Sequence, residues 1–275
     1  MKMINNLIGL GTILLGATLA KKGGVKFFES STYSDFKITP WLIDSVKSSE
    51  GLRSNAYYAT DYERRQGQVT IGYGTCYLFY DDGRKVNTGY GLNKYASGLN
   101  GVKIGMTLQS LKPLFNSSES DEDFGVRLLR NYLLGSGTYS RIAKDLDSLG
   151  FSFDQRFSDV LLEMSYGSSG AYRPSIYYNN FLNVVRSNPS KIDLANAYVK
   201  YRYEYYYSQI SRAQYVDAIA GLLFRLYAVG KWILGENMKV SDVQRLCADK
   251  TIAGRNAKLA RLFMRDYFLS VSFNK

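Results

Sequence analysis

The sequence predicts an α+β fold in which one helix precedes a small antiparallel sheet and a helical bundle follows. Three observations support this class. Apolar residues recur with helical spacing up to Glu50, strand formers and turn signals occupy 57–83, and helical spacing returns after Thr107. With 275 residues, 45% of them hydrophobic, the chain is long and apolar enough to bury a substantial core.

The first helix has a clear start. Thr39 is a favourable N-cap residue, and Pro40 suits the first helical position. An apolar stripe follows and runs to about Glu50. A carboxylate at the junction of a helix and a small sheet can be half-buried, and burial raises its pKa because low dielectric disfavours the charged form. A raised pKa suits a general acid at neutral pH, so Glu50 is the first candidate for chemistry.

The sheet is expected to follow a polar loop at 60–67. Residues 69–71 and 76–80 read as strands, and Asp81-Asp82-Gly83 is a hairpin turn signal. The stretch 85–105, rich in Gly, Asn and Tyr, reads as an irregular insertion with short strands.

The second half of the chain is predicted to be helical. Ser120 opens one helix, because the three residues after it are acidic and complement the helix dipole. Further helices are expected at 139–149, 153–166, 174–185, 194–208, 213–234, 240–246 and 257–268. In the stretch 198–215, which interleaves Tyr and Arg, we expect a packed Tyr face; a glycan or nucleic-acid platform is the alternative.

The N-terminus carries an uncharged apolar segment at 7–20, flanked by lysines. As a helix it would span about 21 Å, less than the ~30 Å hydrocarbon core of a bilayer. It reads as an uncleaved signal anchor, a cleaved export signal or an apolar helix packed in an assembly. The predicted organisation is an apolar segment (1–24), a linker (25–38), one catalytic domain (39–235) and a basic helical extension (236–275).

Composition excludes several kinds of chemistry. The chain has no histidine, which removes Ser-His-Asp and Cys-His catalysis and the commonest zinc ligand sets. Cys76 and Cys247 are far apart, form no metal motif and are expected to be buried thiols. The net charge of +11 indicates an anionic partner, either nucleic acid, anionic lipid or an anionic cell-wall polymer.

Three motifs stand close together after the first helix. They are Glu50 followed by Gly-Leu-Arg, the pair Ala56-Tyr57, and Thr70 followed by Ile-Gly-Tyr-Gly. Together they resemble the active-site segment of the phage-type lysozymes, the muramidases of T-even and lambdoid phage endolysins. Residues 153–161 and 165–167 are similar, more weakly, to the inner helix of that family. The resemblance implies a lysozyme-like fold, here with extra helices at the C-terminus.

The resemblance also implies an activity, the cleavage of the β-1,4 linkage between N-acetylmuramic acid and N-acetylglucosamine in peptidoglycan. By motif position Glu50 would be the proton donor, and Thr70 would position water or the second carboxylate. Tyr57, Tyr73 and Tyr166 would contact the substrate, although Tyr73 has the alternative of only filling a face of the sheet. No metal or organic cofactor is implied.

The second carboxylate departs from the family pattern. The family places an Asp nine positions after the Glu, where this chain has Ala59; Asp61 follows two residues later, and Glu63 is a further candidate. An inverting glycosidase needs two carboxyl groups about 6.5–9.5 Å apart, with water between them. If neither acid enters the cleft, a single Glu remains, as in the lytic transglycosylases, where a hydroxyl of the sugar itself closes the ring.

An alternative from another class is a virion structural protein that retains a lysozyme fold. Residues 1–24 and 236–275 would then contact other virion proteins or a phage membrane. Nucleic acid is disfavoured, because the positive charge is late and diffuse and no recognised module is present. As an enzyme, the protein is expected in the host periplasm or cell envelope, or on the virion, with peptidoglycan as its partner and residues 7–20 as a membrane tether.

Overall fold

The computed structural model describes a large part of the chain after residue 37. The described ranges are 38–59, 61–90, 101–135, 144–150, 154–167, 176–210, 216–247, and positions 254, 258–259 and 261–262. Across these ranges, no helix combines the length and the apolar character that crossing a membrane requires. The apolar segment at 7–20 lies outside the described residues, as does most of the helix predicted at 257–268.

The architecture is α+β, as predicted. A two-stranded antiparallel sheet is formed by β1 (Arg53–Tyr57) and β2 (Thr70–Gly72). The helices are α1 (Pro40–Glu50), α2 (Asp61–Gln66), α3 (Leu108–Leu111), α4 (Asp121–Gly135), α5 (Gln155–Gly167), α6 (Ile176–Val185), α7 (Lys191–Ile210), α8 (Val216–Ile233) and α9 (Val240–Leu246). A short helical stretch also occupies 144–148.

The chain divides into two compact units. One unit comprises Val46–Tyr139 and contains the hairpin of β1 and β2; we call it the hairpin unit. The other comprises Met1–Ser45 and Ser140–Lys275, and we call it the helical unit. The boundary falls within α1, so the end of α1 that carries Glu50 belongs to the hairpin unit. The single catalytic domain at 39–235 stays a prediction.

Local signals explain where several helices start. The Thr39 hydroxyl accepts a hydrogen bond from the Leu42 amide (3.3 Å), which caps α1 as expected. Thr107 caps α3 with a reciprocal capping box, in which its hydroxyl accepts from the Ser110 amide at 3.0 Å. At α4, the Ser120 hydroxyl accepts from the Asp123 amide (3.1 Å). The predicted starts of these helices are therefore confirmed.

The hairpin unit differs from expectation in two places. The predicted loop at 60–67 is wrong, because Asp61–Gln66 is helix α2; its acidic first turn and basic last turn complement the helix dipole. The predicted strand at 76–80 forms only isolated bridges, from Tyr77 to Gly101 and from Phe79 to Lys85. The turn at 81–83 is confirmed by the hydrogen bond from the Tyr80 amide to the Arg84 carbonyl (2.8 Å).

The core of the hairpin unit joins the strands to α3 and α4. Its buried members are Val69, Ile71, Leu78, Val86, Val102, Leu108, Leu111, Phe115, Phe124 and Leu128. Burying each of these larger side chains contributes about 1.5–3 kcal/mol, so this cluster holds the short hairpin in place.

The helical unit is built around an aromatic cluster. Phe157, Tyr178, Phe181, Tyr198 and Tyr201 come from α5, α6 and α7, and Phe181 stacks on Tyr201 with ring centroids 5.4 Å apart. Because Tyr198 and Tyr201 are buried, the start of the stretch 198–215 has the packed Tyr face that was expected, and these two rings are not an exposed platform. Residues 211–215 lie outside the described residues.

Residues 236–247 are part of the helical unit. Val240 and Val243 of α9 are buried. The Trp41 indole donates to the Met238 carbonyl (2.9 Å), and Lys239 forms an ion pair with Asp44 (2.6 Å). The first part of the predicted C-terminal extension therefore packs on α1.

Candidate functional site

Glu50 is the last residue of α1 and is half-buried, as expected. The helix ends there because Gly51 adopts φ +66°, in the left-handed region, and its amide donates to the Lys47 carbonyl (3.1 Å). A residue with a Cβ would adopt this conformation at a cost of about 1–2 kcal/mol. Gly51 thus turns the chain directly from α1 into the hairpin and leaves Glu50 at the junction.

The face of β1 that carries Tyr57 begins three residues after Glu50. Arg53 lies opposite Gly72 and Tyr57 opposite Thr70, with an irregularity in the register of β1 between the two pairs. The Arg53 guanidinium lies 5.7 Å from the centroid of the Tyr57 ring. Arg53 is exposed and Tyr57 half-buried, so this face offers hydrogen-bond donors and an aromatic ring to a ligand.

Thr70 is held inside the hairpin. It is 5% exposed, and its hydroxyl donates to the Tyr57 carbonyl across the sheet, at 3.5 Å. This is a long hydrogen bond, at the outer limit of the usual range. The role of Thr70 in positioning water stays a prediction.

Asp61 lies at the start of α2, where a negative charge complements the helix dipole. Its side chain is 86% exposed, and Arg64, one turn later, approaches it at 3.9 Å. The structure thus places Asp61 on the solvated surface of the hairpin unit.

Glu63, also on α2, is half-buried. Burial raises the pKa of the Cys76 thiol to about 12, and the nearby negative charge of Glu63 adds to that rise. Of the two acids of α2, Glu63 is therefore the one that lies closer to the interior. Both cysteines are buried, as expected.

Tyr73 is only 3% exposed and packs against α4. A Cβ added to Gly125 would lie 3.3 Å from Cε2 of Tyr73 and 2.9 Å from Cδ1 of Leu52, so the close approach depends on glycine. Burial raises the pKa of the Tyr73 hydroxyl, and the Lys47 cation opposes that rise. This burial supports the packing alternative for Tyr73 over contact with a sugar.

Tyr166 lies near the end of α5 in the helical unit and is half-buried. The role of Tyr166 in substrate binding stays a prediction.

Within the described ranges, no group of three or more acids or cysteines has a geometry suited to a metal ion.

A second unusual carboxylate, missed by the sequence analysis, lies in the helical unit. Asp159 of α5 is fully buried and accepts a hydrogen bond from the Thr39 hydroxyl (2.9 Å). Burial raises its pKa to about 7, and hydrogen bonds from Thr39, Trp232 and Gln155 oppose the rise. Because Asp159 has no exposed surface, we interpret it as a structural group. The sequence pattern that could have indicated its burial is an acid within a helical run of apolar residues.

Sequence reasoning also missed Lys47, Glu122 and Gly125, which connect the end of α1 and the Tyr73 ring to α4. Lys47 lies one turn before Glu50, and its ammonium is 2.6 Å from Glu122 of α4. Spacing along α1 could have identified Lys47, whereas its partner Glu122 on α4 lies 75 positions away in the sequence.

No protein-family model matches the chain, and no curated protein or solved structure is detectably similar to it.

Proposed function

We propose that the protein is a peptidoglycan-degrading glycosidase with a lysozyme-like fold, and that Glu50 is its proton donor. One observation carries the proposal: the left-handed turn at Gly51 places a half-buried carboxylate directly before a hairpin face that bears Arg53 and Tyr57. This is the arrangement that the motif resemblance leads us to expect. The substrate is the bond between N-acetylmuramic acid and N-acetylglucosamine.

In the proposed reaction, protonated Glu50 donates its proton to the glycosidic oxygen as the bond from that oxygen to C1 breaks. Positive charge develops on the sugar ring, and water adds at C1 after giving a proton to a second carboxylate. The free hydroxyl formed at C1 is the new reducing end. Asp61 and Glu63 are the two candidates for the second carboxylate, and both lie on α2.

The hairpin supplies the proposed substrate contacts. Tyr57 offers a ring face to a sugar, and Arg53 offers donors to the hydroxyl and carboxylate groups of the glycan and its peptides. The net charge of +11 complements an anionic envelope. Action in the host periplasm or from the virion, and contacts of residues 1–24 and 236–275 with a phage membrane or other virion proteins, are parts of the same proposal.

A lytic transglycosylase is the second candidate, favoured by the 86% exposure of the Asp61 side chain. Here Glu50 first protonates the leaving oxygen and then accepts the proton of the C6 hydroxyl of muramic acid as that oxygen attacks C1. Product analysis separates the two reactions, because the hydrolase leaves a reducing end and the transglycosylase a 1,6-anhydro end.

The test is glycan release from purified peptidoglycan by the wild type and by Glu50→Gln. We expect the substitution to lower the rate at least about 100-fold, because general acid catalysis typically contributes 10²–10⁴-fold. Glu236→Gln is the matched control: Glu236 is an exposed acid of the helical unit that pairs with Lys231. An inactive wild type would overturn the proposal and favour a virion structural protein. A fully active Glu50→Gln variant would overturn the assignment of Glu50 as the proton donor.

A further inference from the structure

A chain of polar groups connects the last turn of α1 to α4. The Lys47 ammonium lies 2.6 Å from Oε1 of Glu122 and 5.8 Å from the centroid of the Tyr73 ring. The Lys47 side chain is 29% exposed and that of Glu122 is 61% exposed. Tyr73 is held in turn against Gly125 of α4. The Lys47 side chain is thus directed toward α4 by two partners.

The position of this cation matters because Lys47 precedes Glu50 by three residues on one helix. Side chains with this spacing are neighbours, with Cβ atoms about 5–6 Å apart. A cation beside a carboxyl group stabilises its charged form and lowers its pKa. A proton donor that works near neutral pH requires the opposite.

We propose that Glu122 is a positioning residue for Glu50, acting through Lys47: it holds the Lys47 ammonium against α4 and so limits how strongly this cation stabilises the Glu50 carboxylate. The catalytic meaning of this role rests on the proposed function. The effect on the ionisation of Glu50 does not, and it can be measured whether or not the protein is an enzyme.

The neighbouring elements carry other charged groups, including Asp61 and Glu63 of α2. On β1, Arg53 lies over the Tyr57 ring. On α4, the Asp123 carboxylate accepts a hydrogen bond from the Ser120 hydroxyl (2.6 Å). These groups are unchanged by substitutions at Lys47 and Glu122, so their contributions cancel in a double-mutant cycle.

The experiment measures the pKa of Glu50 from the carboxyl carbon signal in an NMR titration of the full chain. The four proteins are the wild type, Glu122→Gln, Lys47→Met and the double variant. We expect Glu122→Gln to lower the pKa of Glu50 by about half a unit, a threefold change in its ionisation constant. In the Lys47→Met background, the same substitution should have little effect.

Two results would overturn the inference. One is an unchanged Glu50 pKa in Glu122→Gln. The other is an equal decrease in both backgrounds, which would mean that Glu122 acts on Glu50 directly. Glu119→Gln, which removes an acid that pairs with Arg127 instead, is the matched control and should leave the pKa of Glu50 unchanged.

An activity measurement adds an independent result. The alkaline limb of the pH–rate profile should move to lower pH in Glu122→Gln by the same half unit, whereas a purely structural role would lower the rate at every pH. A wild type without activity would refute the proposed function, and the NMR cycle would still decide the role of Glu122.

Discussion

Replacing Asp159 with Asn should change how the stability of the protein depends on pH. The carboxyl group of Asp159 is fully buried, and its pKa is raised from 3.8 to about 7. In the unfolded chain the same group loses its proton near pH 4. Between these two values the folded state keeps a proton that the unfolded state has lost, so rising pH favours unfolding.

The magnitude follows from the difference between the two pKa values. A difference of about 3 units, at 1.36 kcal/mol per unit, corresponds to about 4 kcal/mol as an upper value. This contribution is fully present below about pH 4, decreases as pH rises to about 7, and is constant above that. Asn cannot ionise, yet its carbonyl oxygen can still accept the hydrogen bond from Thr39.

The assay is denaturant unfolding of the wild type and Asp159→Asn at intervals from pH 4 to pH 8. The free energy of unfolding of the variant, relative to the wild type, should increase by up to about 4 kcal/mol across this range and then level off. Asp147→Asn, at an exposed aspartate of the same unit, is the control and should leave the wild-type pH dependence in place. A constant difference between Asp159→Asn and the wild type would refute the reasoning.

Three further predictions concern packing and the junction at Glu50. Gly125→Ala should destabilise the protein by about 1–3 kcal/mol in denaturant unfolding, because its Cβ would crowd the Tyr73 ring, 3.3 Å away; unchanged stability would show that α4 can move. Gly51→Ala should cost about 1–2 kcal/mol, because φ is +66° there, and should lower glycan release if the junction orients Glu50; a variant as stable and active as the wild type would contradict this. Asp44→Lys should lower Tm by breaking the ion pair with Lys239, and adding Lys239→Asp should recover part of the loss; no recovery would mean that the pair is not the cause.

Local signals predicted the elements that depend on neighbouring residues. The Thr39-Pro40 start of α1 and its end near Glu50 were confirmed, because an N-cap hydroxyl and a left-handed glycine act within one turn. The bounds of α9 (Val240–Leu246) were predicted to the residue, because apolar residues stand at i, i+3 and i+6 in this stretch. The candidate status of Glu50 came from the same local information.

Contacts between distant residues decided what local signals could not. Asp61–Gln66 was expected to be a loop because it is almost wholly polar, yet its charges suit the two ends of a helix. The sequence alone leaves open whether Tyr73 is exposed or packed. Its ring packs closely against α4 because residue 125, 52 positions away, is a glycine. The outcome for Tyr73 depends on which surfaces meet, and spacing along the chain does not encode that.

The carboxyl groups Glu50 and Asp159 show the same division. That a carboxylate stands where a helix turns into a hairpin follows from the order of the residues, because Gly51 must take the left-handed conformation that ends the helix. That Lys47 is drawn toward Glu122, and that Asp159 is buried beside Thr39, follows only from tertiary packing. The ionisation of a carboxyl group depends on the charges and the dielectric within a few ångströms, and the folded chain brings that environment together.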